Sequence, residues 1–130
     1  MTETEKITIN VGAVDLGKID LLVEQGHYSN RTDFIRSAIR SQLDKHVIEV
    51  QQAVTRHSFG VGAFAHSLED FERYKTKGEK IKVDVLGVYH ISSDVPVALV
   101  LEVIDSIKVY GIFQARNEIK DALEKAEKIR

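Results

Sequence analysis

The sequence contains no cysteine, which excludes disulfides, thiolate metal sites and thiol nucleophiles. Long hydrophobic runs are also missing. The longest, Val95 to Leu101, is ended by Glu102 and falls far short of the roughly 20 residues that a membrane span requires. Met1-Thr2-Glu3-Thr4-Glu5 is acidic and polar and does not read as a secretory signal. A cytoplasmic protein without membrane attachment is the expectation. An excess of positive charge is absent as well. Residues 1–50 carry six Lys/Arg and eight Asp/Glu, and residues 51–130 carry twelve of each. Neither half is a basic domain of the kind that coats nucleic acid nonspecifically, so any nucleic-acid contact must come from a local cluster or from helix N-termini.

Signatures of catalysis are missing too. No G-x-S-x-G, H-E-x-x-H or P-loop pattern occurs, and the carboxylates lie among lysines along helical segments. Glu118, Asp121 and Glu124 with Lys120, Lys125 and Lys128 form such a solvated face on the last helix. Gly60-Val61-Gly62-Ala63-Phe64-Ala65 fits the loose dinucleotide fingerprint G-x-G-x-x-A, but it reads better as a strand than as a loop opening a helix. The expectation is no enzyme, no catalytic residue and no cofactor.

What is present begins with alternation. Lys6-Ile7-Thr8-Ile9-Asn10-Val11 sends Ile7, Ile9 and Val11 to one face of a strand and Lys6, Thr8 and Asn10 to the other. A lone strand of this length needs a neighbour for its ladder groups, and a second copy of the chain can supply one. Helical spacing follows in Leu16, Ile19, Leu22 and Val23, with Gly26 as the stop. After the turn His27-Tyr28-Ser29-Asn30, Asn30 is positioned to cap a second helix, with Asp33 completing a short capping box. That helix sets Phe34, Ile35, Ala38, Ile39 and Leu43 on one face, with Arg36 expected to pair along it. Val47, Val50 and Val54 sustain the period, so the helix is expected to continue as a connector.

Lys-Ile-Thr-Ile-Asn-Val followed by Gly-His-Tyr-Ser-Asn-Arg-Thr-Asp-Phe-Ile-Arg resembles the ribbon-helix-helix family of DNA-binding proteins over about the first 46 residues. The likeness is nearest to its CopG-like and nickel-responsive branch. The resemblance implies a swapped βαα homodimer whose antiparallel ribbon enters the major groove of double-stranded DNA. It makes Lys6, Thr8 and Asn10 base-contacting, and it places Ser29, Asn30 and Arg31 at a phosphate on the second helix N-terminus. Ile7, Ile9, Val11, Ile35 and Ile39 would form the dimer core. A ribbon of this family often carries arginine; here Lys6 is its only cation, and lysine lacks the bidentate fork for guanine. Nickel-responsive regulators use a His-x-His pair and a cysteine. Among His27, His46, His57, His66 and His90 there is no such pair, so no metal site is expected.

The second half repeats. Gly62-Ala63-Phe64, Gly87-Val88-Tyr89 and Gly111-Ile112-Phe113 recur at intervals of 25 and 24 residues. Each follows apolar strand-like residues and precedes a helical pattern: Leu68, Phe71 and Tyr74 with Ser67 as cap; Val97, Val100, Leu101 and Ile104 with Pro96 in the first turn; and Ile119, Leu123, Ala126 and Ile129. The period lies in the range of solenoid repeats. Three stacked strand–helix units, as a small parallel sheet, bury faces that one unit alone cannot. Both outer strands, near Phe59–Ala65 and Ile107–Phe113, should then be open edges that invite self-association.

The fold class expected is therefore α+β. Residues 1–46 form the DNA-binding and dimerisation domain, 47–57 a helical linker, and 58–130 a β/α repeat assembly domain. The leading functional reading is a transcriptional regulator, acting as a repressor on its operator as a dimer, tetramer or higher oligomer, in the cytoplasm and nucleoid of a prokaryote. Two alternatives stand beside it. One is an antitoxin-type autoregulator whose C-terminal half binds a protein partner; the other is a self-assembling, DNA-tethered scaffold polymer.

Overall fold

A computed structural model describes residues 4–130. Its elements are α1 (Ala13–Glu24), α2 (Arg31–Lys45), α3 (Val47–His57), β1 (Gly60–His66), α4 (Leu68–Lys77), β2 (Ile81–Ile91), α5 (Val97–Val103), β3 (Ile104–Gln114) and α6 (Asn117–Lys125). The chain divides into two compact units, Thr4–Ala53 and Val54–Arg130.

In the first unit, α1 and α2 occupy the two segments of 3.6-residue periodicity. The Lys6–Val11 segment, expected as a strand, forms no strand and pairs with none among the described residues. The predicted continuation of the second helix is interrupted. α2 ends at Lys45, and His46, with φ −112° and ψ 17°, separates it from α3.

The second unit is a three-stranded parallel sheet in the order β1-β2-β3. Ser67 opens α4 with a reciprocal cap, its hydroxyl accepting from Asp70 N–H while the Asp70 carboxylate accepts from Ser67 N–H at 2.8 Å. α4 packs beside α5, and α5 beside α6. Phe71, Val83, Val85, Tyr89, Ile91, Val95, Leu99, Val100, Val103, Ile104, Ile107, Ile119 and Leu123 close a single core among them. Each fully buried aliphatic side chain there contributes about 1.5–3 kcal/mol relative to exposure.

Register aligns Gly62 with Gly87 and Gly87 with Gly111, and likewise Phe64 with Tyr89 and Tyr89 with Phe113. The Tyr89 and Phe113 rings stack at 5.9 Å. Gly87 has φ +140°, and a Cβ there would collide with the carbonyl oxygen of Gly62, so neither the backbone nor the space admits a side chain. The Tyr89 hydroxyl and Nδ1 of His66 share a 2.7 Å hydrogen bond. Burial pushes the Tyr89 phenol up and the His66 imidazole down from their ordinary pKa ranges.

Two expectations for this unit require correction. Ile129 does not extend the last helix: α6 ends at Lys125, and Glu127 turns the chain with φ +56°. The β3 edge is therefore not fully open. Ile107 N–H donates to the Lys128 carbonyl and Arg130 N–H donates to the Ile107 carbonyl, both at 2.8 Å. The reason is tertiary: a buried strand end with unmet ladder groups gains more from that pairing than α6 would from another half-turn. Second, α5 is only seven residues long and passes directly into β3 at the fully buried Ile104, earlier than the Ile107 start expected.

Candidate nucleic-acid interface

The first unit carries every residue expected to contact DNA. Lys6, Thr8 and Asn10 lie exposed in the segment that precedes α1. The apolar residues that alternate with them are exposed too: Ile7 at 81%, Ile9 at 64% and Val11 at 39%. In this unit Ile19 of α1 is the one buried hydrophobic residue among those described, and α2 has none. Ile35 is half-buried and Ile39 exposed. Leu43, Val47 and Ile48 add to this uncovered apolar surface.

Ser29, Asn30 and Arg31 gather at the start of α2. The Asn30 side-chain oxygen accepts from Asp33 N–H at 2.8 Å, and the Asp33 carboxylate accepts from Ser29 N–H at 2.9 Å. The Asn30 cap is the one expected; only the returning carboxylate contact is displaced by one residue, since Asp33 reaches Ser29 N–H and not Asn30 N–H. It fixes where the helix begins, and an edge-to-face contact between Tyr28 and Phe34, with centroids 5.0 Å apart, holds the turn against the first helical turn. The α2 N-terminus thus leaves the N–H groups of Arg31 and Thr32 outside both the cap and the helix ladder. Such groups, with the helix dipole behind them, favour an anion.

Arg31 is engaged otherwise than its expected phosphate role requires. Its Nε and one terminal nitrogen donate to the two carboxylate oxygens of Asp20, each at 2.8 Å. The hydrogen bond holds Asp20 below the ordinary carboxylate range and raises Arg31 above its own. Both partners are about half exposed, so the pair ties α1 to α2 in orientation more than in stability. Asp20 escaped the sequence reading because it is eleven residues away on another helix, with no periodic signal to link it to Arg31. Arg36, expected to pair along α2, is exposed and makes no ion pair among the described residues, and the same holds for Arg40. With Lys6, Lys18 and Lys45, which are likewise exposed and without an ion pair among the described residues, these are the cations this unit leaves available to a polyanion. Among the described residues no group of three or more His, Asp or Glu is arranged to hold a metal ion, and no helix is long and apolar enough to cross a membrane.

Two short helices joined by a capped polar turn follow an alternating segment whose apolar set is uncovered. Residues 2–120 match the ribbon-helix-helix transcriptional regulator family, and the chain belongs to it. It is 33% identical over 42 residues, 32% of this chain and 76% of the relative, to the transcriptional regulator CdrS of Halobacterium salinarum. It is 25% identical over 91 residues, 70% of this chain and 84% of the relative, to the uncharacterized protein MJ1679 of Methanocaldococcus jannaschii. No solved structure matches.

Proposed function

We propose that the protein is a sequence-specific DNA-binding repressor that acts as a homodimer through residues 1–46. In this reading the Lys6–Val11 segments of two copies pair as an antiparallel ribbon in the major groove. Lys6, Thr8 and Asn10 from each copy meet base edges, and the start of α2 receives a phosphate through Ser29, Asn30 and the Arg31 and Thr32 N–H groups. Ile7, Ile9, Val11, Ile35 and Ile39 close a shared core. One observation carries the reading: apart from Ile19, the first unit leaves its large apolar side chains uncovered or half-covered, with Ile7 at 81% exposed. Apolar surface on that scale marks an interaction site. The weak charge of the unit fits a reader that relies on base contacts and on two linked copies more than on bulk attraction.

Residues 47–57 would serve as the linker and 58–130 as the assembly domain, whose strand–helix units behave as repeats. The open β1 edge, with Val61 at 62% exposed, is the surface we assign to higher oligomers. The covered start of the β3 edge argues against an open-ended scaffold polymer, and the closed core of the second unit argues against an antitoxin tail that folds only on a protein partner. Selecting bound duplexes from a random DNA pool, with sedimentation of the same samples, tests the proposal. A palindromic site bound by an even number of chains is the expected result. Sequence-indifferent binding, or specific binding by a monomer, would refute it.

A further inference from the structure

The second unit holds a cavity of about 340 Å³ that the DNA-binding reading does not use. It lies on the sheet face away from the core: Lys82 and Asp84 of β2 alternate with buried Val83 and Val85, and Lys108 lies beside Asp84 in register. Parallel sheets are ordinarily covered on both faces; here the second face stays open at this end. Four cations reach the cavity from four separate places, Arg56 in the last turn of α3, Lys82, Lys108, and Arg130 near the start of β3. Asp84 is the one acidic side chain that lines it. Among the described residues none of the four cations makes an ion pair, although the protein as a whole has a net charge of −2.

Aromatic rings form the rest of the wall. Phe59 meets Tyr110 edge-on with centroids 5.3 Å apart, His57 stands 5.9 Å from Phe59, and the Lys108 ammonium sits 5.3 Å from the Tyr110 ring centre. Tyr110 is half exposed, so its ring retains free surface. Converging cations repel one another and favour a bound anion, and the aromatic wall favours a planar group attached to it. A cavity of this volume suits a small molecule, not a polymer.

From this we infer that the cavity binds a nucleotide, its phosphates held by Lys82, Lys108, Arg56 and Arg130 and its base against Tyr110 and Phe59, which gives the regulator a small-molecule effector site. The inference does not rest on the ribbon proposal and is read out without DNA. Isothermal titration of the full chain with ADP, GDP and UDP, with inorganic pyrophosphate and uncharged adenosine as controls, should show saturable binding of at least one nucleotide. Lys108→Glu should weaken it by about tenfold or more, and Tyr110→Ala by about fivefold or more. Both side chains lie outside the core, so unchanged melting curves are expected for both variants. Absence of nucleotide binding at millimolar concentration would overturn the inference. So would pyrophosphate binding as tightly as the nucleotides with Tyr110→Ala silent. If Lys108→Glu instead weakened binding to duplex DNA while no nucleotide competed, the face would be a DNA contact and the effector site refuted.

Discussion

The two units of this chain handle apolar side chains in opposite ways. Residues 54–130 fold thirteen of them into one closed core, with Phe71, Tyr89, Ile104, Ile119 and Leu123 fully inaccessible. Residues 4–53 bury Ile19 and leave Ile7, Ile9, Val14, Leu21, Ile39 and Leu43 in solvent. Both segments are strongly patterned, so the difference lies not in hydrophobicity but in what is available to cover it. Strands that pair within the chain bring helices across one sheet face and close a core. In residues 4–53, where Lys6–Val11 pairs with no strand among the described residues, no such core closes. The lesson is that a unit without its own core is better read as half of an interface than as a poorly folded domain.

The largest effect should come from removing the proposed interface. Ile9→Asp places a charge where the ribbon reading buries an aliphatic chain, and it should abolish dimerisation and the folding of residues 4–53 together. Hydrogen exchange should then find the first unit unprotected and the core around Ile107 and Leu123 still slow. A folded monomer would break the comparison. Next comes Gly87→Ala, which sets a methyl group against the Gly62 carbonyl at a positive φ. A melting shift equivalent to about 3 kcal/mol or more is expected in the second unit. Gly62→Ala, with the same backbone conformation but nothing near its Cβ position, should cost only the φ strain, about 1–3 kcal/mol.

Smaller effects separate surface from function. Thr8→Ala and Asn10→Ala should each weaken specific DNA binding by about 1–3 kcal/mol, measured by fluorescence anisotropy, with the melting temperature unchanged. Wild-type affinity and selectivity in both would reduce the polar face to solvated strand. The smallest effect concerns pH. Burial lowers the His66 pKa in the folded state, so the unfolded chain takes up the proton first as pH falls below the ordinary histidine value of about 6.5. The stability His66 confers is therefore present above that value and lost as pH falls from it toward the lowered folded pKa. In His66→Gln the slope of stability against pH across this window should flatten; an unchanged slope would assign it to other groups.

Much of this was legible in the residues themselves. Periodicity located α1, α2 and the three strands, and the spacing of Gly62, Gly87 and Gly111 anticipated a parallel sheet in which they align. The capped turn at Asn30 was readable because a cap is a local arrangement of a few consecutive residues. What escaped was non-local. The Arg31–Asp20 pair joins residues eleven apart on two helices, and the seating of Ile129 beside Ile107 depends on where β3 ends up. Helical spacing at Ile129 is indistinguishable in sequence from a residue that completes a sheet edge.

The sequence by itself determined most of the elements, the glycine positions and the family resemblance of the first 46 residues, because propensity, alternation and capping act over short separations. Only the tertiary structure decided which apolar residues find cover, that Arg31 is engaged by Asp20, and that Arg56, Lys82, Lys108 and Arg130 converge on one cavity. Those outcomes rest on contacts between segments far apart in the chain, and the geometry of folding selects them where no local preference can.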